Sequence, residues 1–140
     1  MTHILIIGSG GREHAIGIAL KKSQSNPTLY FAPGNAGTKP LGTNLSIQAT
    51  DIPALLSFAK TNAINLTIVG PEDPLVMGIV DTFETENLSI IGPSKLGAQL
   101  EGSKKWAKQL MKTYNIPTAN YQVFSDYEEA KNVISNYNKF

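Results

Sequence analysis

Short β-branched runs alternate along this chain with stretches whose apolar residues recur every three or four positions, the periods of strands and helices respectively. Residues 4–7, 29–32, 66–69 and 88–91 predict strands, and 45–48 a weaker one. Between them, Ala15, Ile16, Ala19 and Leu20 form one helical stripe, Leu55, Leu56 and Ala59 a second, and Leu75, Val76, Ile79, Val80 and Phe83 a third. Asp51 is placed to cap the second helix, while Asp73 and Pro74 supply a cap and an N1 proline to the third. Near-continuous apolar strands separated by helices predict an open, doubly wound α/β domain, a parallel sheet covered on both faces.

After residue 91 the pattern changes. Gly92, Pro93 and Ser94 lead into a short helix ending near Gly102. A longer helix starts at Ser103 and presents Trp106, Ala107, Leu110, Met111 and Tyr114 on one side, and Asn115-Ile116-Pro117 stops it. A possible strand at 121–124 precedes a last helix, opened by Ser125-Asp126-Tyr127-Glu128 as a capping box and carrying Ala130, Val133, Ile134 and Tyr137 on one face. Residues 1–102 therefore read as one domain, and 103–140 as the beginning of a second that is incomplete.

Three loops at predicted carboxyl ends of strands carry the candidate chemistry, because ligands of open parallel sheets gather at those ends. Gly8, Ser9, Gly10, Gly11 and Arg12 join the first strand to the first helix, an arrangement that aims backbone N–H groups and a positive helix end at a phosphate. Pro33, Gly34, Asn35, Ala36 and Gly37 offer close backbone approach and an amide. Glu72, in the third loop, offers a carboxylate for hydroxyls or an amine. Together they suit a phosphorylated sugar carrying a basic nitrogen. The dinucleotide fingerprint G-x-G-x-x-G fits less well: Glu13 occupies its third glycine position, where a side chain would obstruct helix–strand packing. No acid closes the second strand to meet a ribose hydroxyl. For Arg12 and Glu72 the plainer readings are a solvated helix-start residue and a helix-start carboxylate, and His14 reads as a locally packed side chain.

The 140 residues carry 41% hydrophobic and 16% charged side chains, enough to bury a core, with a formal net charge of +1 that draws the chain neither to nucleic acid nor to a membrane. The absence of cysteine excludes disulfides, thiolate metal sites and a cysteine nucleophile. Neither metal-ligand spacing nor a G-x-S-x-G elbow is present. A cytoplasmic protein is expected, with no apolar run long enough to span a bilayer.

The series 6–15 (IIGSGGREHA), 33–37 (PGNAG), 69–75 (VGPEDPL) and 92–95 (GPSK), continued by 99–104 (QLEGSK) and 116–119 (IPTA), closely resembles the phosphoribosylamine-glycine ligases, or glycinamide ribonucleotide synthetases. These are ATP-grasp ligases of de novo purine synthesis, and the motifs match in order over essentially the whole chain. The resemblance implies a Rossmann-like domain at 1–102 followed by the start of an ATP-grasp unit at 103–140. It implies joining of glycine to 5-phosphoribosylamine with ATP and Mg2+, giving glycinamide ribonucleotide, ADP and phosphate. By the same resemblance, residues 8–12 and 33–37 hold the phosphoribosylamine, with Glu72 near its ribose or amine, and Lys104 contacts the nucleotide. Asp73 departs from the small apolar residue of many relatives, a change expected to be harmless before Pro74.

Members of that family extend well beyond 140 residues. The expectation is therefore an N-terminal fragment, inactive in ligation and holding neither ATP nor Mg2+ by itself, whose partner is the missing remainder of the same chain. The alternative is a stand-alone sugar-phosphate-binding regulatory module.

Overall fold

The computed structural model describes residues 2–136, which divide between Gly102 and Ser103 into two compact units. In the first, strands β1 (His3–Gly8), β2 (Thr28–Pro33), β3 (Thr43–Asn44), β4 (Leu66–Val69) and β5 (Ile90–Ile91) form one parallel sheet of order β3-β2-β1-β4-β5. Strand order runs outward from β1 to β3 and then restarts on the other side of β1 with β4. The switch point lies between β1 and β4.

Alternation along β1 sends its side chains to two cores. Ile4 and Ile6 join Leu29 and Phe31 on the face covered by α1 (Gly11–Lys21), through Ile16 and Leu20. Leu5 and Ile7 pack on the other face with Leu55 and Ala59 of α2 (Ile52–Thr61), Leu75 of α3 (Glu72–Met77), Ile79, Val80 and Phe83 of α4 (Ile79–Thr85) and Ala98 of α5 (Lys95–Gly102). The expected doubly wound α/β architecture is present, with helices on both faces. Among the described residues no helix is long and apolar enough to cross a membrane.

Several local expectations are corrected. The weak strand at 45–48 lies instead at Thr43–Asn44: the ladder ends where Leu45 N–H donates to the Phe31 carbonyl at 2.8 Å, although Leu45 and Ile47 still pack on the core. The strand at 88–91 shortens to its last two residues. In α1 the buried positions are Glu13 and Gly17, while Ala15 and Ala19 are exposed. The third helix is two helices. α3 follows Pro71, so Asp73 and Pro74 lie inside its first turn rather than capping it. It ends at Gly78, whose φ of +97° suits glycine and whose N–H donates to Pro74 and Leu75 carbonyls.

Asp51 caps α2 as expected, its carboxylate accepting from Ala54 N–H at 3.2 Å. Asp51→Ala is expected to lower the stability of the chain by about 0.5–2 kcal/mol, read as a fall in the urea midpoint at unchanged slope. An unchanged midpoint would show that water replaces the cap without cost.

The second unit contains α6 (Lys104–Thr113) and α7 (Tyr127–Asn136). Ser103 caps α6, accepting from Trp106 N–H at 3.3 Å, and Ala107 is its buried residue. The possible strand at 121–124 is not formed. Lys108 instead binds that connection, donating to Thr118 Oγ1 at 2.6 Å and the Ala119 carbonyl at 3.0 Å, with its ammonium 5.7 Å from the Tyr121 ring centre. Asp126 rather than Ser125 caps α7, accepting from Glu129 N–H at 2.9 Å. Val133 and Ile134 line an open groove of about 980 Å³ with Met111, Ile116, Tyr121 and Phe124. Tyr137 lies outside the described residues.

Candidate functional site

At the switch point, the turn after β1 and the loop after β4 border an open cavity of about 380 Å³. Gly8, Ser9, Gly10, Gly11, Arg12 and Glu13 line it from the turn, Pro71 and Glu72 from the loop, and Ala49 from the segment before α2. The sheet sets this geometry. The Ile7 carbonyl accepts from Gly70 N–H at 3.0 Å and the Gly8 carbonyl from Gly34 N–H at 3.1 Å, so all three candidate loops leave the sheet at one level. Gly8 has a φ of +126°, a conformation that side chains disfavour.

The expected residues play unequal parts. Residues 8–12 and Glu72 meet at the cavity, whereas Pro33, Gly34, Asn35, Ala36 and Gly37 stand behind the turn rather than in the lining. Asn35 donates from Nδ2 to the carbonyls of Ser9 at 2.8 Å and Gly10 at 3.2 Å, and accepts at Oδ1 from Gly37 and Thr38 N–H groups at 2.7 and 3.1 Å. Its amide is committed to holding the turn. Fully buried Thr38 accepts from Asn35 N–H at 2.8 Å and meets Asn44 Oδ1 at 2.7 Å, while Asn44 Nδ2 donates to the Asn35 carbonyl at 2.7 Å. Thr38 and Asn44 thus complete a polar support that no loop motif announced.

Glu13 corrects a second expectation. Its side chain does not come between helix and strand; it folds back into the turn, 4% exposed, and Oε2 accepts Gly10 N–H at 2.5 Å. Close helix–strand packing is supplied one turn later by Gly17, where a β-carbon would lie 2.8 Å from Phe31 Cζ. His14 packs over Gly37, as a local role requires.

The N–H groups of Gly11 and Arg12, which open α1 and have no intrahelical acceptor, are among the donors available to an anion. The positive end of an eleven-residue helix adds to them. Arg12 donates from Nη1 to the Gly70 carbonyl, joining the turn to the β4 loop, and keeps other guanidinium donors for a ligand. Glu72, exposed at the first position of α3, places an acceptor on the same cavity. Main-chain donors, one guanidinium and one carboxylate around a small cavity suit a phosphate ester bearing hydroxyl or amine groups. Lys104 is exposed at the first position of α6, in the other unit. Among the described residues no three His, Cys, Asp or Glu side chains are placed to hold a metal.

Residues 2–101 match the family model for the phosphoribosylglycinamide synthetase N domain. The chain belongs to the phosphoribosylglycinamide synthetase family. Residues 102–139 match the ATP-grasp (A) domain model of the same synthetase. The phosphoribosylamine–glycine ligases of Halalkalibacterium halodurans and Yersinia pestis are 52% and 53% identical over 129 and 130 residues, 92% and 91% of this chain. In each case the chain spans about 30% of the relative's length. The crystal structure of the Thermotoga maritima phosphoribosylamine–glycine ligase superposes with a TM-score of 0.68 at 36% identity, over 97% of this chain and 31% of that one. The biotin carboxylase domain of Hydrogenobacter thermophilus 2-oxoglutarate carboxylase, solved with MgADP and bicarbonate, shares the fold at a TM-score of 0.72 and 17% identity, over 99% of this chain and 33% of that domain.

Proposed function

We propose that this chain forms part of a ligase joining glycine to 5-phosphoribosylamine with hydrolysis of ATP to ADP and phosphate, and that the cavity at the β1/β4 switch point holds the phosphoribosylamine. The observation that carries the second statement is the convergence of residues 8–12 and Glu72 on one cavity of ligand size. The N–H groups of Gly11 and Arg12, with the Arg12 guanidinium, bind the 5-phosphate. Glu72 accepts from the ribose hydroxyls or the amine. Held in this way, the amine is oriented for attack rather than free in solution.

In the proposed ligation the glycine carboxylate takes the terminal phosphoryl group of ATP, releasing ADP. The sugar nitrogen then attacks the acyl carbon, inorganic phosphate leaves, and the nitrogen loses a proton. Mg2+ offsets phosphate charge during the first step in such chemistry. Within this scheme Lys104 meets a nucleotide phosphate as a point cation. The two units take the roles of phosphoribosylamine-binding domain (1–102) and part of the ATP-grasp domain (103–140).

Binding is the readout suited to a chain that spans about 30% of its relatives. Isothermal titration with glycinamide ribonucleotide is expected to show saturable binding. A Gly10→Asp, Arg12→Ala double variant is expected to abolish it, because the new carboxylate adds a negative charge to the turn while the guanidinium is lost. Equal binding by both proteins would remove the phosphate from this turn.

A further inference from the structure

We propose that Glu13 is the positioning residue of the glycine-rich turn: by holding Gly10 N–H in its carboxylate it aims the N–H groups of Gly11 and Arg12 at the ligand phosphate. This inference rests on the phosphoribosyl-binding reading above and assigns it a residue that never touches the ligand.

Glu13 sits in a slot made by the absence of three side chains. A β-carbon on Gly8 would lie 2.6 Å from Glu13 Cδ, one on Gly10 3.0 Å from Oε2, and one on Gly70 would collide with Oε1. Glycines from the β1 turn and the β4 loop thus close around one carboxylate. A buried negative charge beside an anion site repels the ligand, so its presence needs an offsetting role. The geometry supplies one: Gly10 is extended, with φ −90° and ψ −176°, and its N–H points at Oε2, 2.5 Å away. Asn35 holds the same residue from the other side through the Gly10 carbonyl. With both polar groups of the Gly10 backbone engaged, the peptide groups that follow it, in Gly11 and Arg12 of the cavity lining, are fixed in place.

Reach and charge can be separated by substitution. Glu13→Gln keeps an oxygen at the position of Oε2 without the charge; Glu13→Asp keeps the charge but is one methylene short. The measurements are titration of the 140-residue chain with ribose 5-phosphate and amide hydrogen exchange at Gly10. Glu13→Gln is expected to retain native Gly10 protection and an affinity within about threefold of native. Glu13→Asp is expected to lose the protection and to bind about tenfold more weakly, because a turn no longer held at Gly10 is ordered only at the expense of binding. Glu13→Ala should follow Glu13→Asp.

Native affinity in Glu13→Asp, or an equal loss in Glu13→Gln, would overturn the positioning role. If the native chain bound no ribose 5-phosphate, the reading of the site would fail instead. Gly10 exchange would then decide the role of Glu13 separately, since unchanged protection in Glu13→Asp contradicts it.

Discussion

Phe31→Ala is expected to destabilise the chain by about 3–5 kcal/mol, the usual range for truncating a buried aromatic ring. Phe31 is fully buried near the middle of β2, with Ile4, Ile6 and Leu29 beside it and α1 above. The helix approaches so closely because Gly17 has no side chain, and that same absence leaves no side chain at the point of contact to move into the vacated space. Against a total stability of about 5–15 kcal/mol, such a loss brings the fold near its limit. Urea denaturation followed by far-UV circular dichroism measures it. A loss of about 1 kcal/mol or less would mean that Leu41, which also lies over Gly17, collapses into the cavity.

Asn35→Asp is expected to cost about 2–3 kcal/mol although it replaces a single nitrogen by oxygen. The acceptor that serves Gly37 and Thr38 survives. What changes is the side facing the Ser9 and Gly10 carbonyls, where two donated hydrogen bonds become contacts between oxygens, one of them charged. The strain falls on the glycine-rich turn proposed to bind the phosphate, so ribose 5-phosphate affinity is expected to fall with stability. Thermal unfolding and titration of the same variant test both. If stability fell while affinity stayed native, the β2 loop would be a prop for the fold only, independent of the turn.

The architecture was legible because both faces of the sheet are buried, which leaves β1, β2 and β4 as nearly unbroken apolar runs. Strand β3 was misplaced for a related reason. Leu45 and Ile47 carry the apolar signal and do reach the core, but they do so after the chain has left the ladder at Asn44. Gly78 was passed over within a continuous apolar stripe, because periodicity records which face is buried and is silent on whether the backbone continues.

At the candidate site, the meeting of the glycine-rich turn and Glu72 on one cavity is legible from residue type and position. Glu13 was noticed for the wrong reason: the fingerprint treats its position as a packing contact, whereas Gly8, Gly10 and Gly70 together announce a side chain that needs room. The 33–37 loop predicts an Asn35 amide facing a ligand because a sequence offers no account of which donors the protein itself consumes. Thr38 and Asn44 gave no signal, since a buried hydroxyl and amide supporting a loop from behind look in sequence like ordinary loop residues.

The place of β1 in the sheet bears on how the chain acquires its structure. Its first strand is made earliest, yet it is the middle strand, and its two neighbours pair through Leu29 and Leu66, both far downstream. A ribosome releasing this chain therefore exposes four consecutive fully apolar residues, Ile4 to Ile7, whose first partner is β2 and whose other edge stays unpaired until β4 has emerged. Pairings over such separations are slow to form, and unpaired apolar strands are prone to associate with one another. The segment whose end builds the glycine-rich turn is thus also the one most in need of protection during synthesis, and its need ends only when the β1/β4 pairing that brings the two cavity-lining loops together is made.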